Sequence, residues 1–395
     1  MTPTPNDPRG ARWALLYGNF SIGCGVMVPT GALNDLVSSL KISVAVGGQL
    51  IAVAAVVMAV GAPLLAAFVA GIDRRRLLTF ALGWFALGHA LSALAPNYAA
   101  LLPVRALTVL GAAVFTPQAA AAIGMMVPPE RRGRAITFVF LGWSVSSVLG
   151  MPLHAYIGEA FGWRYAFGLV AVLGLIGTAW VWRAMPDGVR PPALSLQSWR
   201  EVFTHPALMA TIGVTALSAA GQFTLFSYFA PYYRQVLGAD AAQISTIFMW
   251  FGAIGVIGNV LLSRYIDRIG AARAVAWLLG AMGLSLLLWP LGTSFGSMAL
   301  VIMPWALGCF ASNSAQQARL SMAAPALTAA LVALNSSAMY AGQALGASSG
   351  GLVVAQAGFG PLHWIGLAWM LCAIALSVWA ARRMAAAPRV AAAHG

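Results

Sequence analysis

The sequence predicts an all-α membrane protein, with twelve transmembrane helices forming two pseudo-symmetric six-helix bundles. Three observations carry that prediction. Hydrophobic residues make up 61% of the 395 residues and charged residues 8%, against roughly 45–50% and 25% in soluble domains. The apolar residues fall in runs long enough to cross a bilayer, which takes about twenty residues. The chain also repeats itself. A shift of 197 carries the GAPLLAAFVAGIDRRR stretch from Gly61 onto GNVLLSRYIDRIG from Gly258, and nearly the same shift carries Leu149-Gly150 onto Leu345-Gly346 and Phe161-Gly162 onto Phe359-Gly360. Solenoid repeats recur every 20–50 residues, so a period of this length marks a duplicated half.

In chain order, residues 1–12 are a polar, proline-containing tail. Spans at 13–34, 46–70, 77–95, 99–127, 135–157 and 164–183 build a first bundle over 13–184. The first run lacks a small-residue cleavage site and flows into polar residues, so it is a retained helix and not a signal peptide. Residues 185–206 are a linker holding Pro186, Pro191 and Pro192. Within it Leu196, Trp199 and Phe203 recur at helical spacing with charges between them, the pattern of a short helix lying on the membrane surface. Spans at 207–233, 242–266, 274–292, 296–319, 326–354 and 361–381 build a second bundle over 207–383, followed by a tail, 384–395. Several runs exceed a perpendicular crossing, which implies tilt. Gly258 and Ser263 are small residues of the kind that let membrane helices approach closely.

A net charge of +13 invites a polyanion partner, but its placement points to topology. With the N-terminus inside, 18 of the 22 Lys and Arg fall in cytoplasmic segments: Arg9/Arg12, Arg74–Arg76, Arg131/Arg132/Arg134, Arg183/Arg190/Arg200, Arg264/Arg268/Arg273, Arg319 and Arg382/Arg383/Arg389. Lys41, Arg164 and Arg234 lie outside and Arg105 lies within a span. This positive-inside bias puts both termini in the cytoplasm and excludes a nucleic-acid partner. Cys24, Cys309 and Cys372 sit in apolar runs without metal or pairing spacing, as buried free thiols. No P-loop, zinc pair or dinucleotide fingerprint appears, so neither metal nor cofactor is expected.

GAPLL…DRRRLL, Arg105 six residues before Gly111, VPPERRGRA at Val127–Ala135, LGMPLHAYIGEAFGWRYAF at Leu149–Phe167, FSYFAP at Phe226–Pro231 and ALNSSAMYAGQALGASSGG at Ala333–Gly351 together resemble the major facilitator superfamily. They are similar in particular to its twelve-span drug:proton antiporter group and the arabinose-efflux-permease-like branch. The resemblance covers residues 13–381. It implies a monomeric secondary transporter of the bacterial inner membrane that exports a small molecule, with protons as partner. It also implies a conformational latch on the inner face from Asp73, Arg74, Arg75, Arg76, Glu130, Arg131, Arg134, Asp267 and Arg268, closed when the protein faces outward. Gly61, Gly111, Gly150, Pro152, Gly258 and Gly346 are assigned to helix packing. Three departures stand out: Ala70 and Gly71 replace the inner-loop Asp and Arg, His154 replaces a fifth-span Gly, and the first span carries Asn19 but no carboxylate.

All nine Asp and Glu lie in loops or at span ends. A carboxylate at mid-depth is the usual means of coupling a proton to a cation, so an organic cation is disfavoured as substrate. Arg105 is read as holding an anionic group or tuning a titratable neighbour, the alternative being a side chain snorkelling to the surface. His154 and His89 lie at a similar depth, and an imidazole titrating near neutrality has the chemistry to carry a proton. Helix-to-helix hydrogen bonding is the stronger reading for His89, and the two stand level for His154. Asn19, Gln118, Gln222, Phe226, Tyr228, Trp250, Asn313, Gln316, Asn335, Tyr340 and Gln343 are expected to line an apolar cavity with a few hydrogen-bonding groups, suited to a small neutral or amphipathic compound. Gly346–Gly350 matches the G-x-S-x-G of serine hydrolases, but that motif needs a strand-to-helix turn. The expectation is a non-enzymatic exporter of a drug, sugar, nucleoside or metabolite, with two rivals: a facilitator or importer of the same fold, and a membrane hydrolase using Ser348.

Overall fold

The computed structural model describes residues 8–69, 71–128, 132–190, 196–324 and 327–386. These residues form helices and turns, with no strand among them. The first half begins with α1 (Pro8–Gly31), bent by 55° into α2 (Leu33–Leu40). It continues through α3 (Val44–Phe68), α4 (Arg74–Ala93) and α5 (Tyr98–Met125). The fifth crossing is composite: α6 (Arg132–Val145), a π turn (Ser146–Gly150) and α7 (Met151–Ala160). The half closes with α8 (Trp163–Ala184). A short α9 (Leu196–Thr204) follows, then α10 (Pro206–Phe226) broken into α11 (Phe229–Val236), α12 (Ala241–Ile269) and α13 (Ala271–Leu288) with a 3-10 turn. The second half ends with α14 (Phe295–Val301) running into α15 (Met303–Ala323), α16 (Thr328–Ala357) and α17 (Leu362–Ala386).

Side chains at the boundaries explain where these helices start. Ser43, Asn97 and Asp240 each accept a hydrogen bond from an amide three residues on, the N-cap arrangement that satisfies otherwise orphaned donors. Nine helices have the length and apolarity to cross a membrane among the described residues, or ten if the bent first pair counts as one. The other two of the expected twelve, α4 and α16, are long enough. However, α4 opens on three arginines and α16 carries Asn335, Ser336, Ser337 and Gln343 along its length. α9 packs Val202 under Leu208, Ile212, Leu320 and Leu331.

The π turn has a local cause. Pro152 has no N–H for the carbonyl four residues back, and the Ser146 and Ser147 hydroxyls donate to the carbonyls of Trp143 and Ser144. The ladder therefore resets through a Met151 N–H to Ser146 carbonyl bond, one residue wider than an α turn.

Close helix approaches repeat between the halves. A methyl added at Gly150 would strike Cys24 Sγ on α1, and one added at Gly346 would strike the Ala220 carbonyl on α10. A shift of 196 converts each pair into the other. Gly258 and Gly111 likewise leave no room for a side chain against the Leu307 and Ala81 carbonyls. Gly61 is different. A methyl there would meet Leu110 at 3.4 Å, an ordinary contact, so this position does not require glycine.

An even number of crossings leaves the start of α1 and the end of α17 on one face, the termini face. Every hydrogen bond or ion pair between described residues of the two halves lies toward the opposite face. There Asn34 donates to the Ala230 carbonyl at 3.1 Å, Ser245 donates to the Pro152 carbonyl at 3.0 Å, and Glu159 faces Arg234 at 3.5 Å. Leu33, Met151 and Ala155 of the first half join the second half's core, and Ile51 and Ala52 pack on Ala347.

Candidate functional site

Pro29 sits inside α1 and cannot donate to the Gly25 carbonyl one turn earlier. Arg105, reaching from α5, fills that vacancy. Its Nη1 donates to the Gly25 carbonyl at 2.8 Å and its Nη2 to the Val26 carbonyl at 3.1 Å. Neighbouring side chains commonly re-satisfy backbone freed by proline in membrane helices. Arg105 is buried, so it does not snorkel to the surface.

Arg105 Nη1 also reaches His89 Nε2 at 3.2 Å, and His89 Nδ1 lies 2.8 Å from the Phe85 carbonyl. In the neutral ring the shorter contacts fit Nδ1 donating to Phe85 and Nε2 accepting from the guanidinium, with the Gly25 carbonyl 3.3 Å from the same Nε2. A second proton on Nε2 would point at a cation. His89 is thus a structural acceptor in this conformation.

His154 is the opposite case. It is fully buried and neither ring nitrogen has a partner. It lies on α7 where that helix runs along α1, between contacts of Gly150 with Cys24 and Gly158 with Ala32. Buried polar groups are overwhelmingly hydrogen-bonded, so an imidazole with two open nitrogens contrasts with His89, whose two nitrogens are both engaged.

The second half holds a continuous polar chain. Thr215 donates to Asn335 Oδ1 and Asn335 Nδ2 to Asn313 Oδ1 at 3.0 Å. Gln316 Nε2 donates to the Thr211 carbonyl at 2.8 Å. Arg319 donates to Gln316 Oε1 at 3.4 Å and, on α17, to the Ser377 hydroxyl and carbonyl at 2.9 and 3.1 Å. Arg319 is a correction to the charge reading. It is buried against α17 one turn before the end of α15, so Arg105 is not the only arginine buried among the helices. Its position at the end of an apolar run looks topogenic, and its partner lies 58 residues later.

The expected cavity residues divide. Asn313 and Gln222 are half-buried, and Gln118, Gln316, Asn335, Tyr340 and Gln343 are buried inside the protein. Asn19 is spent on helix contacts: its amide donates to the Val139 carbonyl at 3.1 Å and its oxygen accepts from Thr116 at 2.9 Å. Phe226 belongs to an aromatic cluster with Phe229, Phe248 and Phe251. Tyr228 donates to the Ala347 carbonyl at 2.6 Å, and its ring end abuts Gly48 of the first half. Trp250 must be corrected. It is 38% exposed and donates to the Ala299 carbonyl at 3.0 Å. Gly252, two residues on, faces Ser147 across the halves, and two helical positions are about 200° apart, so Trp250 faces away from the other half.

On the termini face, Asp73 caps α4 through the amides of Arg75 and Arg76 and accepts from the Gly188 amide at 2.6 Å. Arg74 donates to the Val69 and Ile72 carbonyls, and Arg75 pairs with Asp187 at 2.8 Å. Arg76 and Arg268 are exposed. These contacts join residues of the first half to one another. Glu130 and Arg131 lie outside the described residues, as do the side chains of Arg134 and Asp267. Gly346–Gly350 lies inside the unbroken α16 with Ser348 exposed on its surface, so no nucleophile elbow forms. Among the described residues no three His, Cys, Asp or Glu converge as a metal site would need.

The family model described as Major Facilitator Superfamily matches residues 15–331. An inner membrane transport protein of Escherichia coli, YdhP, is 29% identical over 347 residues, covering 88% of this chain and 89% of that protein. A probable sugar efflux transporter of Helicobacter pylori is 29% identical over 352 residues, covering 88% and 89%. The crystal structure of a D-xylose–proton symporter superimposes with a TM-score of 0.76 at 18% identity, covering 93% of this chain and 97% of that one.

Proposed function

The chain belongs to the major facilitator superfamily and is a multi-pass membrane transporter, and we propose that it exports a small neutral, hydroxyl-bearing compound from the cytoplasm in exchange for protons. The observation that carries this reading is the one-sided seam. Among the described residues, the hydrogen bonds and ion pair seen between the halves lie toward the face opposite the termini, as in a carrier caught at one end of an alternating cycle. The arginine distribution supports cytoplasmic termini; with that orientation the protein is closed to the outside, in the bacterial inner membrane that YdhP's name also gives.

A sugar heads the candidate substrates. Relatives named as sugar efflux transporters support it, and so do Asn313, Gln316, Asn335, Gln343 and Gln222, whose amides both donate and accept as hydroxyls do. Drugs of neutral character, nucleosides and other metabolites fit the same chemistry. Protons would be carried by His154, with Arg105 holding α1 and His89 in register behind it. In the other state Asp267 and Arg268 would meet Asp73–Arg76 and the Glu130–Arg134 loop on the inner face. Proton binding drives the exchange only by its difference in affinity between the two states.

The test is counterflow in proteoliposomes preloaded with unlabelled compound, run over a panel of neutral sugars, nucleosides and amphenicols with a pH-sensitive dye inside. Export predicts exchange of at least one neutral compound together with proton movement the opposite way. A facilitator of the same fold is the second reading, favoured by the lack of any carboxylate at mid-span; it predicts exchange with no proton movement.

A further inference from the structure

The outward seam is mostly apolar, apart from the Ser245 hydroxyl on the Pro152 carbonyl and one polar cluster at the rim. Tyr228 against Gly48, Ile51 and Ala52 against Ala347, and Leu33, Met151 and Ala155 in the second half's core all bury carbon. At the rim Asn34 and Glu159, from α2 and α7, meet Ala230 and Arg234 of α11. Asn34 Nδ2 donates both to Glu159 Oε1 and to the Ala230 carbonyl. Glu159 Oε2 faces Arg234 Nη1, with the glutamate side chain 4% exposed and the arginine 51%. Asp35 lies on the same side but is occupied elsewhere, accepting from the Trp163 amide at 2.7 Å.

We propose that Asn34, Glu159 and Arg234 form the tie that holds the outer face closed, and that Glu159 sets how often that face opens. Of the two ion pairs between described residues, this is the one that joins the halves. Its geometry suits a lock that must release. Asn34 holds the carboxylate from within the first half, so Glu159 stays in place when the halves part. The second half contributes only a half-exposed arginine and one carbonyl. Opening strips both from Glu159 and Asn34 and gives them to water, whereas the apolar contacts beside them carry no such directional link. A pair with one exposed partner contributes modestly, enough to bias a two-state equilibrium without freezing it. None of this uses the mid-depth residues assigned to substrate or protons.

The inference rests on the alternating-access reading, and the experiment keeps the two separable. In full-length protein with Cys24, Cys309 and Cys372 replaced by alanine, spin labels at Lys41→Cys and Gln235→Cys report the outer face. Labels at Arg76→Cys and Arg268→Cys report the termini face, and distances are read in lipid nanodiscs without any substrate. Glu159→Gln and Arg234→Gln should each raise the open-to-closed ratio of the outer pair by about threefold or more. The exchanged pair, Glu159→Arg with Arg234→Glu, should return it toward the parent value. Arg234 is exposed enough that its variant tests the tie even if Glu159→Gln does not fold. An outer distance unmoved by Arg234→Gln overturns the tie, and so does a shift in Glu159→Gln that the exchange leaves uncorrected. If the termini-face pair moves while the outer pair ignores these variants, the tie alone falls. If neither pair ever shows a second distance, alternating access falls with it.

Discussion

The two halves share a scaffold and differ in what they hang on it. In the first, Asn19 on α1 joins Thr116 on α5 and the Val139 carbonyl on α6. In the second, Thr215, Asn313 and Asn335 occupy the matching places on α10, α15 and α16, reached by shifts of 196 or 197. The first triad ends there, its polar atoms consumed by helix contacts. The second runs on through Gln316 and Arg319 to Ser377. The Arg105, His89 and His154 positions have no titratable counterparts in the second half. Arg105, His89 and His154 have Ile302, Leu286 and Gly351 at the positions 197 residues later. A duplicated fold has thus been specialised, with a polar amide chain in one half and the Arg105–His89 pair in the other. On this account one half handles the proton and the other the substrate.

The largest effect that would break this comparison is at Arg105. Replacing it with alanine leaves the Gly25 and Val26 carbonyls without their charged donor, which should cost about 2–4 kcal/mol in detergent unfolding and abolish exchange. Pro29→Ala in the same background restores an N–H for Gly25, so the double variant should recover part of the stability. Strict additivity of the two would separate Arg105 from the proline.

In the second half, Asn335→Leu removes the partner of both Thr215 and Asn313. It should lower stability by about 1–3 kcal/mol and raise the KM for exchange while leaving proton binding intact. Loss of proton coupling in that variant would blur the division between halves. The smallest effect is at Trp250, where Trp250→Phe gives up one bond to Ala299 on the outward surface. Stability should stay within about 0.5 kcal/mol and exchange should be unchanged. A changed substrate preference would return Trp250 to the cavity.

Much of the fold was legible because lipid imposes it. Long apolar runs, arginines on one side and a duplicated DR motif are all one-dimensional signals, and the runs at 77–95 and 326–354 mark α4 and α16 despite their polar residues. Side-chain direction was not legible. A membrane helix is apolar all round, so periodicity does not tell the lipid face from the protein face, and Trp250 was misplaced for that reason. Arg319 reads as topogenic in the sequence because its partner Ser377 lies 58 residues away. Glu159 was filed among loop and span-end acids, since only the packing of α2, α7 and α11 reveals that it sits between the halves. The pairing of Pro29 with Arg105 was readable in part: a mid-span proline and a mid-span arginine each demand a partner, but the sequence does not say that they answer each other.

The central claim is that the first half carries the proton through His154 while His89 serves as a fixed acceptor. The measurement is substrate-triggered proton flux in proteoliposomes for the parent protein, His154→Gln and His89→Gln, using whichever panel compound the parent exchanges. The account predicts that His154→Gln exchanges the compound without moving protons, while His89→Gln, which keeps an acceptor for Arg105, retains the flux. Proton flux that survives His154→Gln undiminished would contradict it.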